Sequence, residues 1–414
     1  MRFRRNPFSD LLIAVLTSTI LMACGPMNGP EVTESEAVDT GLALEKGGQE
    51  LYGHFEPVED WPQWFPDADH AAWTWGSSGG VYAESPDRIW LAQRGELPLP
   101  PGEEPGTPYG ATDRGRSTGN SDGLNARCEP TTSRGWERRW HHSIIVVNRA
   151  GETVDYWEQT EGLFSALVDG IACGRGPHQI QISPYDPEKH VWIVDDQLHQ
   201  IHKFTYDGDL VMTLGEQGVP GRGPNNFSRP TDIAFLPDGT FFISDGYDGK
   251  RVAKFDPDGN FLMDWGSAPA DPENPGPGEF NNAHAIAISA DRRVFVADRS
   301  HGRVQVFDEN GTFLDMWPVK RPLDLFITAD DHIWVSDLET SRILKYDLDG
   351  HYLYGWGYGG SAPGAFGCAH GMSVDQEGNF YVAECFNGRV QKFSPRSNAN
   401  PAKLVGQPIR SAMN

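Results

Sequence analysis

The stretch Asn281-Asn282-Ala283-His284-Ala285-Ile286-Ala287-Ile288 reads as a short apolar strand with one histidine at its entrance. The same register recurs along the chain. His178 stands two residues before Ile180 in GPHQIQIS, and His370 two before Met372 in CAHGMSVD. Thr231 precedes Ile233 in RPTDIAFL, Leu323 precedes Leu325 in RPLDLFIT, and Gly79 precedes Val81 in GGVYAE. In chain order the strand starts carry Gly, His, Thr, His, Leu and His, so histidine falls on every second one.

Each start opens a unit of the same form. A second strand ends in an acidic residue (IVDD, FISDG, FVADR, WVSDL, YVAEC), and a third follows at once (QIHKF, RVAKF, RVQVF, RILKY, RVQKF). A turn and a last strand complete it, as in DPDGNFLMDWG and DLDGHYLYGWG. The DG and NG pairs are hairpin signals, and the alternation along each strand has period two. A repeat of about 40–50 residues points to a propeller or solenoid. Six such units predict an all-β chain closed as a six-bladed β-propeller, which leaves no long sheet edge exposed.

The propeller is expected over residues 61–408, with a long insertion at 97–140 between the second and third strands of blade one. Two stretches compete to close the ring: 71–76 (AAWTWG), which matches the end of the fourth-strand pattern, and 403–406 (KLVG). Phe227, Phe280 and Phe366 each lie four residues before a unit start and read as packing between blades. Asp195, Asp245, Asp298, Asp337 and Glu384 recur from blade to blade, which marks them as structural.

Residues 1–23 pair a basic start (MRFRRN) with a short apolar run that ends at Leu21-Met22-Ala23-Cys24. This is the form of an export signal, too short for a comfortable membrane span. It resembles a lipobox, with Cys24 as the lipidated residue and 24–60 as a lipid-anchored flexible tether and ordered arm. The expected location is exported and lipid-anchored, at the outer membrane and facing the periplasm or the cell surface, with Gly25 after the cysteine favouring the outer membrane. Cys128, Cys173, Cys368 and Cys385 remain, and their three possible pairings stay open. The chain carries 34 basic and 58 acidic residues, a formal net charge of -24, which argues against nucleic acid as a partner.

In a propeller the first strands line the central channel. Positions in alternate blades of a six-fold ring stand about a third of a turn apart, so His178, His284 and His370 converge on the axis. Three neutral imidazoles with an open fourth position make a catalytic zinc site. With 13 histidines in 414 residues, chance places three of six at one register roughly six times in ten thousand. The other ten share no register and read as surface or local hydrogen bonding; the His141-His142 pair reads as surface. Arg94 (AQRGE), Arg299 (ADRSHGR) and Tyr247 (SDGYDGKR) follow the ends of second strands, at the same end of the channel. Two guanidiniums suit a substrate with a free carboxylate, and a tyrosine beside them suits a base.

Together these residues resemble the peptidyl-α-hydroxyglycine α-amidating lyase family, six-bladed propellers of NHL repeats. The resemblance covers about residues 71–406. It implies zinc on His178, His284 and His370, a catalytic Tyr247 in Asp245-Gly246-Tyr247, and Arg94 and Arg299 in the substrate site. It also implies Ca2+ on the carbonyls of Val81 and Ile180 and on an aspartate directly after the third histidine. Here Gly371 stands at that position, while Asp232 and Asp324 occupy the register in other blades. Cys368 replaces the family's methionine two before the third histidine. The implied reaction cleaves the C–N bond of a peptidyl- or N-acyl-α-hydroxyglycine to an amide and glyoxylate, with a separate monooxygenase supplying the substrate. Two other readings stand beside it: a non-catalytic exported propeller that binds peptide or glycan, and a metal-dependent hydrolase.

Overall fold

The computed structural model describes residues 51–65, 68–99, 102, 141–164, 167–168, 171–172 and 176–409. The export signal, Cys24, the tether up to residue 50, Cys128, Cys173 and most of the 97–140 insertion lie outside the described residues.

Six four-stranded antiparallel sheets follow one another around the ring. Blade one is Ser78–Ser85, Arg88–Gln93, Ile144–Val147 and Thr153–Tyr156. Blade two runs over Gln179–Ile182, Val191–Asp195, Gln200–Phe204 and Leu210–Leu214, and blade three over Asp232–Phe235, Phe241–Asp245, Arg251–Phe255 and Phe261–Trp265. Blade four is Ala283–Ile288, Val294–Asp298, Arg303–Phe307 and Phe313–Pro318; blade five is Pro322–Ile327, His332–Asp337, Arg342–Asp347 and Tyr352–Trp356. Blade six takes three strands from the end of the chain (Ala369–Val374, Phe380–Glu384, Arg389–Pro395) and its outer strand, Phe55–Pro57, from the beginning.

That outer strand corrects the expected closure. Phe55 pairs with Pro395 and Pro57 with Phe393. The 71–76 candidate instead supplies Trp73–Trp75, which pairs with Glu96–Pro98 in a small separate sheet. The 403–406 candidate lies at the end of a short 3-10 turn, Pro401–Lys403. The outer slot of blade six needs an aromatic that reaches the blade seam. Phe55 does this: it is fully buried, 5.1 Å from the Trp356 ring and 6.0 Å from Phe380. The start of the strand carried the signal. Gly53-His54-Phe55 repeats the Gly259-Asn260-Phe261 and Gly350-His351-Tyr352 turns, and all three glycines have positive φ.

The core is a set of seams, each filled by two neighbouring blades. Phe227, Phe280 and Phe366 are fully buried in them, each at the end of a loop leading into a first strand. The recurring acids hold those loops. Asp245 accepts from Arg251 Nε at 3.0 Å while the same guanidinium donates to the Asn226 carbonyl at 2.7 Å. Asp298 with Arg303 (3.0 Å) and Glu384 with Arg389 (2.6 Å) repeat the arrangement. Cys368 and Cys385 form a disulfide that joins the entrance of the first strand of blade six to the end of its second. Phe55→Ala removes a fully buried ring from the closing strand. It is expected to cost about 3–5 kcal/mol of stability, read as a lower urea midpoint.

Candidate active site

The register residues point into the channel because they sit at irregularities of the ladder. His284 is the extra residue of a bulge between Ala283 and Ala285, His370 of one between Ala369 and Gly371, and Leu323 and Gly79 occupy the same place in blades five and one. A bulge re-aims its side chain and ends regular pairing. In blade two, His178 stands just ahead of the strand, its N–H donating to the Val194 carbonyl at 2.7 Å.

The three imidazoles meet on the axis, with ring centroids 4.6–5.1 Å apart. All are buried. His178 Nδ1 lies 2.7 Å from the Thr231 carbonyl, His284 Nδ1 2.7 Å from that of Leu323, and His370 Nδ1 2.6 Å from that of Gly79. The acceptors are the three non-histidine members of the alternation. A carbonyl only accepts, so each Nδ1 carries a proton, and in the neutral ring Nε2 keeps its lone pair for the axis. Burial, reinforced by Arg299 and the other two imidazoles, pushes the pKa of His284 well below the usual range, which favours the neutral ligand form. The donor atoms lie within 4.8 Å of one another, and the set fits a divalent metal.

Tyr247 enters from the loop after the second strand of blade three. Its hydroxyl lies 3.1 Å from His178 Nε2 and 3.2 Å from His284 Nε2. Two guanidiniums lie against its ring, Arg229 at 4.2 Å and Arg299 at 5.1 Å from the centroid. Arg299 is half-buried, and its Nε has no hydrogen-bond partner among the described residues. Arg94 is fully buried and donates through Nε to the carbonyl of Pro177, next to His178, at 3.3 Å. The structure therefore gathers His178, His284, His370, Tyr247 and Arg299 at one place, with Arg94 beside them.

Asp196 and Arg229 belong to the same cluster and were missed in the sequence. Asp196 accepts from Arg229 Nη2 at 2.7 Å and lies 3.9 Å from Arg94 Nη2. The signal was the doubled acid of IVDD, together with Gln200 where most other units have arginine. Blade two has no arginine to pair with Asp195. Among the described residues, that carboxylate accepts the N–H groups of Gln197 (3.0 Å) and Leu198 (2.9 Å), through one oxygen.

The position after the third histidine supplies no calcium ligand. The position of a Cβ on Gly371 lies 3.0 Å from the Gly80 Cα, which leaves no room for a carboxylate there without a shift. Asp232 and Asp324, which hold that register in other blades, are buried acceptors: Asp232 accepts from the N–H of Ile233 (2.8 Å) and Ile286 (3.1 Å), and Asp324 from that of Leu325 (3.0 Å) and Met372 (2.6 Å). Burial pushes Asp232 up to about 7 and Asp324 well up, the latter also through the neighbouring Asp232 charge. Val81 and Ile180 stand in the ladders of their blades, opposite Leu91 and Ile193. A cavity of about 810 Å³ opens at the other end of the channel, lined by the far ends of the first strands, and does not touch the histidines.

His142 corrects another expectation. It is buried, not on the surface, and contacts Glu96 and His70.

An NHL repeat model matches residues 280–307 and 366–393. The mouse peptidyl-glycine alpha-amidating monooxygenase is 37% identical over 136 residues, 32% of this chain and 13% of that protein. The peptidyl-alpha-hydroxyglycine alpha-amidating lyase 1 of Drosophila melanogaster is 36% identical over 149 residues, 33% of this chain and 26% of that protein. The match thus spans well under half the length of these relatives. A solved streptogramin B lyase aligns with a TM-score of 0.46 at 10% identity, covering 83% of this chain and 97% of that one.

Burial raises the Asp195 carboxyl to about 7, with the nearby Asp196 charge adding to it. Its folded pKa lies above its unfolded value, so its contribution to stability is present at low pH and lost as pH rises through about 7. Urea midpoints between pH 5 and pH 8 are expected to fall with rising pH. Asp195→Asn keeps the accepting oxygen and should flatten that fall. The chain is a six-bladed β-propeller of NHL repeats, homologous over about a third of its length to the peptidyl-α-hydroxyglycine α-amidating lyases.

Proposed function

We propose that the chain is a zinc-dependent carbon–nitrogen lyase that converts a peptidyl- or N-acyl-α-hydroxyglycine to an amide and glyoxylate. One observation carries this reading. Three buried imidazoles, held with their lone pairs inward, meet the hydroxyl of Tyr247 at 3.1 and 3.2 Å. The Nε2 atoms of His178, His284 and His370 would hold the ion. Bound there, zinc would polarise a substrate hydroxyl, as it does a water molecule.

The residues of the chain account for the rest. Arg299 and Arg94 bind the substrate carboxylate, with Arg229 holding Asp196 beside Arg94 and packing on the Tyr247 ring. This fixes the C–N bond relative to Tyr247. Acting as its phenolate, Tyr247 takes the hydroxyl proton. The C–O bond becomes a carbonyl, the C–N electron pair goes to nitrogen, and Tyr247 returns the proton to that nitrogen, so that the amide leaves, glyoxylate remains and the phenolate is restored. The burial of the three histidines and Arg94 limits the access of bulk water to the reacting carbon. The hydroxylated substrate must come from a separate oxygenase acting on a glycine α-carbon. The Cys368–Cys385 disulfide supports an exported chain, in keeping with anchoring through Cys24 at the outer membrane.

The test is glyoxylate release from α-hydroxyhippurate together with zinc content. Wild type is expected to release glyoxylate, and His284→Ala to lose both its bound zinc at this site and the activity. Tyr247→Phe should keep the zinc and lower kcat by about 10²–10⁴-fold, with a smaller change in KM. Zinc without glyoxylate release would overturn the reaction. Unchanged activity in His284→Ala would overturn the site.

A further inference from the structure

A second cluster of ligating side chains lies apart from the channel, beside blade one. His70 ends the short 3-10 turn Ala68–His70, Glu96 opens the strand Glu96–Pro98, and His142 stands just ahead of the strand Ile144–Val147. Their side chains are buried, Glu96 completely. His70 Nε2 lies 3.2 Å from His142 Nδ1 and 3.3 Å from Glu96 Oε1, and His142 Nδ1 lies 3.1 Å from that same oxygen. Three atoms from three separate segments thus form a nearly equilateral triangle.

Protons alone do not satisfy this triangle. An imidazole nitrogen is either a donor or an acceptor, and an ionised carboxylate only accepts. If both nitrogens donate to Glu96, they stand 3.2 Å apart as two donors with no hydrogen bond between them. If one nitrogen donates to the other, the acceptor turns its lone pair on the carboxylate. With an ionised carboxylate, one edge lacks a hydrogen bond in every arrangement of single protons on the two nitrogens. A cation above the triangle accepts all three lone pairs. Its geometry also matches: tetrahedral bonds of about 2.0–2.1 Å to nitrogen and oxygen set the ligands roughly 3.3 Å apart. Two imidazoles and one carboxylate are ligands for zinc and its neighbours in the first transition row.

The surroundings hold the ligands in place. The Phe65 ring lies 4.5 Å from both imidazoles, and Tyr156 lies 4.6 Å from His142. The His142 N–H donates to Glu161 Oε1 at 3.2 Å, and His142 adopts a left-handed backbone (φ 55°) that a non-glycine residue takes only under constraint. Arg94 is two residues from Glu96, and the Arg94 N–H donates to the Ser77 carbonyl at 2.8 Å, close to the Gly79 register.

We propose that His70, Glu96 and His142 form a second divalent-metal site, of the zinc class, which clasps the N-terminal arm to blade one and holds the segment that carries Arg94. The site is independent of the three channel histidines.

Full-length protein is stripped with a chelator, dialysed and titrated with Zn2+ and with Co2+. Wild type is expected to bind two equivalents and His284→Ala one. Adding Glu96→Gln, which keeps the shape of the side chain, or His142→Ala to His284→Ala should remove the remaining equivalent. The melting temperature of His284→Ala should rise with Zn2+, and that of His284→Ala/Glu96→Gln should not. Zinc-edge absorption of His284→Ala should give two imidazoles with oxygen, a readout that does not depend on either clasp variant folding. If the channel site holds no metal, wild type binds one equivalent that is still lost in Glu96→Gln, so the two readings fail separately. No equivalent in His284→Ala, an equivalent that survives Glu96→Gln in folded protein, or an absorption fit without two imidazoles would overturn the clasp.

Discussion

The site depends on three hydrogen bonds that cross blade seams: the Nδ1–H of His178, His284 and His370 to the carbonyls of Thr231, Leu323 and Gly79. Each contributes only about 0.5–1.5 kcal/mol to stability. Their weight lies in orientation. They select one tautomer, turn each lone pair to the axis and tie every histidine blade to the blade that follows it. The bulges place donor and acceptor at one level of the channel. A regular ladder would turn these side chains into the sheet, so the irregularity and the hydrogen bond are one device.

The repeat supplies the rest of the frame. An acid at the end of the second strand and an arginine at the start of the third hold the loop that carries the buried phenylalanine. This holds in blades three, four and six, and blade two departs from it. Gln200 replaces the arginine, Asp195 is left with backbone donors, and Asp196 turns to Arg229 and Arg94. The departure of blade two from the repeat thus supplies one edge of the site, where Asp196 meets Arg229 and Arg94.

Period-two alternation and paired turns made the blades legible, because both are local. The tri-histidine convergence was legible because it follows from register and ring symmetry. Other features were not. The closing strand pairs Phe55 with Pro395 across almost the whole chain, and its Gly-His-Phe turn at 53–55 is shorter than either stretch that matched a fourth strand. Asp196 and Arg229 meet only through folding of two blades, and neither has a register of its own. His142 looked like a surface histidine because its partners, His70 and Glu96, are 72 and 46 residues away in sequence. Local pattern predicts which face a side chain takes; it does not predict which distant segment covers that face.

The charge of the site runs against the charge of the chain. The protein carries a formal net charge of -24. Yet Arg94, Arg229 and Arg299 stand around Tyr247 and the neutral histidines, and among the described residues the ion pairs of Arg94 and Arg229 converge on one carboxylate, Asp196. Buried cations are costly unless paired, and their interactions are far less screened than those on the surface. The cluster therefore favours an anion at its open end and disfavours a cationic ligand. A metal on the three imidazoles would sharpen that preference. The acidic exterior repels anions at long range, but salt screens it beyond about 8–10 Å. The proposed selection for a carboxylate thus falls to the channel mouth, where Arg299 is half-buried.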